Sequence, residues 1–90
     1  MAKHFERRFP DPLRLPGVGT TARKVYDALR KGEPVRLSDY VDKGVSSRLV
    51  GSLKDVYNCE IRPAGYGLYI LVGRYRGVTL IPLSELKEDQ

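Results

Sequence analysis

The sequence predicts a small α+β domain with its helices in the first half and its strands in the second. Three observations carry that expectation. Apolar residues recur at helical spacing as far as about residue 57, the period changes to two after Asn58, and glycine, proline or capping residues stand at each change. A chain of 90 residues, 41% of them apolar, has enough material for one core and not for two.

Residues 1–19, MAKHFERRFPDPLRLPGVG, contain Pro10, Pro12 and Pro16 and show no clean period. Proline removes an amide donor and restricts its neighbour, so this stretch reads as an arm. Arg7, Arg8 and Arg14 make the arm basic, and Phe5, Phe9, Leu13 and Leu15 offer apolar anchors to the body. An extended basic arm suits a DNA minor groove, a disordered tail, or an embrace of a second subunit.

Residues 20–82 form the domain itself. A first helix is expected over Thr21–Lys31, capped by Thr20 and stopped by Gly32, with Ala22, Val25, Ala28 and Leu29 on one stripe and Tyr26 beside it. Pro34 breaks the helix, and Val35-Arg36-Leu37 is a short extended piece. Ser38 caps a second, shorter helix through about Lys43 that buries Leu37, Tyr40 and Val41. Gly44 then supplies a tight turn, and Ser46 caps a third helix running to about Tyr57.

The strands follow. Cys59–Arg62 and Leu68–Val72 alternate like a hairpin joined by Pro63-Ala64-Gly65-Tyr66-Gly67. Gly73–Gly77 reads as another turn and Val78–Ile81 as an extra strand, with Pro82 restricting it to an edge or an end. Residues 83–90 make a polar tail.

The third helix carries the functional signal. At about 100° per residue, Leu49, Leu53 and Val56 stack together with Val50 and Tyr57 beside them. The opposite side shows Ser47, Arg48, Gly51, Lys54, Asp55 and Asn58. A glycine inside a helix costs about 1 kcal/mol relative to alanine. Either something outside approaches closely there, or Gly51 relieves crowding against another element of the same chain. Short side chains interleaved with donors suit a helix that enters a DNA major groove.

The order of helix, short strand, helix, turn, helix and hairpin is that of a winged helix-turn-helix: three helices, a small antiparallel wing and an extra C-terminal strand. The stretch GVSSRLVGSLKDVYNCEIRPAGYGLYIL resembles the N-terminal DNA-binding domain of the biotin-operon repressor and related bacterial regulators. The likeness lies in Gly44-Val45-Ser46, Leu49, Leu53 and Val56, then Glu60-Ile61 and Gly65-Tyr66-Gly67-Leu68, and covers about residues 20–72. It implies a recognition helix over about 46–57 in the major groove and a wing over about 62–67 on the backbone or in a minor groove. By that likeness Arg62, Gly65 and Tyr66 become wing contacts. Tyr66 either stacks at the tip or, like Tyr69, folds back to cover the core. Arg36, Lys43, Arg74 and Arg76 are further phosphate candidates, since cationic side chains displace condensed counterions. Arg74-Tyr75-Arg76 is either a second basic prong or a solvated hairpin end.

Charge and composition agree with a polyanionic partner without requiring one. The net charge of +5 is concentrated in residues 1–36, which hold nine basic against four acidic residues. There is no apolar run of bilayer length and no secretion-type start, so no membrane partner is expected. The single cysteine, Cys59, fits a reducing cytoplasm. His4 is the only histidine and lies in the arm, and no phosphate-cradling loop is present. Neither catalysis, a metal nor a cofactor is therefore expected. The expectation is a small cytoplasmic protein that binds double-stranded DNA and regulates transcription by occupancy or as a homodimer. Two alternatives are a winged helix that docks on a protein such as RNA polymerase, favoured by Asp39, Asp42 and Asp55, and an RNA binder.

Overall fold

The computed structural model describes residues 14–86 of the chain. Two α-helices pack with an antiparallel sheet of four strands, an α+β arrangement. Helix α1 spans Thr21–Arg30; the Thr20 hydroxyl accepts from the Arg23 amide at 3.2 Å, and Gly32 closes the end at positive φ. Val25, Tyr26 and Leu29 form its buried stripe. Strand β1 is the two-residue Val35–Arg36, and helix α2 spans Lys43–Asp55. Strands β2 (Cys59–Gly65), β3 (Leu68–Arg76) and β4 (Thr79–Pro82) complete the sheet.

Strand β3 is the spine of the sheet. It pairs with β2 along one edge, while β1 and β4 share the other edge at opposite ends. Val25, Tyr26 and Leu29 of α1, Val35, Leu37, Leu53 of α2, and Cys59, Ile61 and Leu71 of the sheet make one core. Leu53 is fully buried, and truncating a side chain so placed costs about 2–5 kcal/mol.

Several expectations need correction. Three helices are not seen: the expected second helix is a single 3-10 turn, Leu37–Asp39, which buries Leu37 but leaves Tyr40 42% exposed. Gly44 is not a turn. The Asp42 carbonyl accepts from the Val45 and Ser46 amides, so α2 starts at Lys43, three residues early. Ser46 therefore lies inside the helix, and its hydroxyl donates back to the Lys43 carbonyl at 3.2 Å. At the other end Val56 is 41% exposed and stands outside the core.

The hairpins are also longer and tighter than expected. Strand β2 continues to Gly65 through Pro63, and the link is only Tyr66-Gly67, both at positive φ (53° and 76°). That is the pattern of a two-residue turn whose twist matches its strands. Gly73 lies within β3, where a Cβ would collide with the Ile81 carbonyl of β4; the real turn there is Gly77-Val78.

Candidate nucleic-acid interface

Helix α2 turns its leucines inward and leaves the other side open. Leu53 is buried, Leu49 and Val50 pack half-buried against the core, and Ser47, Arg48, Lys54 and Asp55 are exposed. A Cβ built on Gly51 or Gly44 meets no atom within 4 Å. Crowding by the described residues therefore does not account for Gly51. Gly44, Ser47, Arg48, Ser52, Lys54 and Asp55 are exposed along α2, with Gly51 half-buried among them. Among the described residues, Lys43, Arg48 and Lys54 form no ion pair, the two present being Arg23–Asp27 and Arg62–Glu60.

The hairpin tip lies near the start of this helix. Arg36 on β1 donates from Nη1 to the Tyr66 carbonyl at 2.7 Å, tying β1 to the turn. Tyr66 itself is 92% exposed, so it does not cover the core, while Tyr69 is half-buried against it. Between the tip and the first turns of α2 is an open cleft of about 510 Å³, lined by Arg36, Leu37, Ser38, Lys43, Ser46, Ser47, Tyr66, Gly67 and Tyr69. Arg36, Lys43, Ser47 and Tyr66 were singled out by the sequence, and the fold brings them to one place. Ser38, Ser46 and Tyr69 present themselves in the sequence only as caps or core, because no local pattern reveals that two distant turns face each other.

Two expected contacts lie elsewhere. Asn58 is 2% exposed, in the left-handed conformation at φ 58°, and its carbonyl accepts from the Tyr75 amide at 2.8 Å. It makes the corner between α2 and β2 and belongs to no outer face. Arg74 is fully buried; its guanidinium donates to the Tyr57 carbonyl at 2.9 Å, the Tyr26 hydroxyl at 3.3 Å and the Arg14 carbonyl, and it stacks over the Tyr26 ring. The cause is an irregularity in register. Glu60 faces Gly73 while Ile61 faces Leu71, so Val72 is an extra residue that re-phases the strand. Arg74 is thereby turned inward beside Cys59, its partner on β2. It is a clasp joining the chain before α1, α1 itself and the end of α2.

The remaining candidates are dispersed. Arg62 is exposed on β2 but paired with Glu60 at 3.0 Å, which partly cancels its charge. Gly65, at φ 91°, is exposed beside the tip. Arg76 ends β3, about 25 Å from the tip at the usual strand rise, so it lies away from the cleft. Arg14 is exposed with its guanidinium 5.9 Å from the centre of the Tyr57 ring. Arg7 and Arg8 lie outside the described residues. Cys59 is buried in the core, and no described helix is long and apolar enough to cross a membrane.

The fold and site define a small α+β protein with one open helix face beside a basic cleft. Compared with known protein families, curated proteins and solved structures, the chain matches none.

Proposed function

We propose that this protein is a winged helix-turn-helix whose α2 enters the major groove of double-stranded DNA, and that it regulates transcription by occupying its site. The observation that carries this reading is Gly51, which weakens α2 while its Cβ direction points into open space. A duplex edge approaching the helix backbone gives that glycine a purpose. The order of α1, β1, a 3-10 turn, α2 and the β2–β3 hairpin supports this reading, with a single 3-10 turn standing where the winged plan has its second helix. Arg48 and Lys54 supply donors on the open face, and Arg36 and Lys43 supply cations beside the hairpin tip. A single module makes a modest interface, so two copies on a two-fold site would gain by avidity.

A protein partner is the second reading, favoured by Val45 in the first turn of α2 and Val56 at its C-terminal end beside Asp55, both valines exposed. Carboxylates repel phosphate, and exposed valines contribute nothing to a phosphate contact. The two readings separate in a salt titration. For a DNA complex, affinity falls steeply with salt, and Lys54→Ala flattens the slope by about one unit. Arg48→Ala is expected to leave the melting midpoint in place while weakening binding to the preferred site by about 1–3 kcal/mol. Equal affinity of parent and Arg48→Ala removes Arg48 from base readout. A salt-insensitive complex moves the assignment to a protein partner.

A further inference from the structure

We infer that the cleft between the hairpin tip and α2 is a binding site for a phosphate ester, held between Arg36 and Lys43. On the reading above that ester is one backbone phosphodiester of the bound duplex. The lining has a consistent chemistry. Arg36 comes from β1 and Lys43 from α2, Ser38 and Ser47 add hydroxyls, and no carboxylate of the described residues lines the space. Asp39 and Asp42 are exposed nearby without entering it. Two cations with hydroxyl donors from separate elements surround an oxyanion from several sides, the arrangement that charge-assisted hydrogen bonding rewards. A volume of about 510 Å³ lies in the range of small-molecule sites, too roomy for a bare ion and suited to a phosphate with its sugar.

The tip supplies an independent observation. Tyr66 adopts φ 53° with its ring almost wholly in solvent. A bulky residue rarely accepts that conformation, and residues held in it cluster at ligand clamps. Arg36, itself a lining residue of the cleft, holds the turn through the Tyr66 carbonyl. The turn therefore presents a flat ring at the lip of a cationic cleft, where a sugar or base attached to the phosphate would lie.

The test uses the full chain, isotopically labelled, with two probes: a duplex enriched from a random pool, and thymidine 5′-monophosphate. Lys43 is exposed and unpaired among the described residues, so Lys43→Ala is expected to melt as the parent does. If the duplex supplies the phosphate, it shifts the Ser47 and Gly67 amide signals, and Lys43→Ala flattens the salt slope by about one unit. If the duplex is not bound but the mononucleotide shifts the same amides in the parent and not in Lys43→Ala, the cleft stands and the DNA reading falls. If neither probe moves those amides, or Lys43→Ala changes neither slope nor shifts, the cleft site is wrong. Duplex binding that survives in that last case leaves the helix-face reading intact.

Discussion

At the scale of single residues, Tyr66 stands in solvent at the hairpin tip, and Arg74 is buried where α1 meets the end of α2. Tyr66 is the first central residue of a turn that favours asparagine followed by glycine, and Gly67 already supplies the second position. Tyr66→Asn is therefore expected to raise stability by up to about 1 kcal/mol, because asparagine tolerates the left-handed region far better than tyrosine. If the ring contacts nucleic acid, the same substitution weakens binding without altering the salt slope, since no charge is lost. A fall in the melting midpoint would instead make Tyr66 part of the fold's support. Arg74 was misread for a physical reason. The sequence reads Gly73–Gly77 as a turn and so puts Arg74 on a basic prong or a solvated hairpin end, whereas β3 runs on through Arg76 and the extra residue at Val72 turns Arg74 inward. Such a bulge leaves no mark in composition. Asn58 lies three residues past the end of α2, so the helical phase that assigns it to the outer face does not reach it.

At the scale of elements, the parts fixed by local chemistry were legible and those fixed by packing were not. Helix α1 has a capping threonine, a clean apolar stripe and a terminal glycine, and its bounds came out within one residue. The start of α2 was set late, because Gly44 resembles a turn residue and Ser46 resembles a cap, while Asp42 takes the cap position with no side-chain bond of its own. The open face of α2 was legible from Ser47, Arg48, Gly51 and Lys54, since it depends only on the phase of Leu49 and Leu53. Gly51→Ala tests what that face is for. With no atom within 4 Å of the added methyl, the variant is expected to be more stable by about 1 kcal/mol in thermal or urea unfolding. It is also expected to bind duplex DNA more weakly, because the methyl thickens the helix where the groove closes on it. Gain of stability with undiminished affinity would place the duplex elsewhere.

At the scale of the whole molecule, the candidate contacts are arranged around α2. The cationic cleft and the hairpin tip border its first turns, and Arg14 stacks on Tyr57 just beyond its last. The Arg74 clasp fixes that second end by joining the Arg14 and Tyr57 carbonyls to Tyr26 of α1. A duplex lying along the open face would thus meet the cationic cleft at the first turns of the helix, whereas Arg14, over the half-buried Tyr57 on the leucine side, and Arg76, at the far end of β3, lie away from it. The sharpest single measurement is selection of the full chain against a pool of random duplex DNA at moderate salt. The expected result is enrichment of a defined sequence whose binding weakens steeply as salt rises. A pool that leaves no oligonucleotide on the protein would contradict a DNA-facing α2.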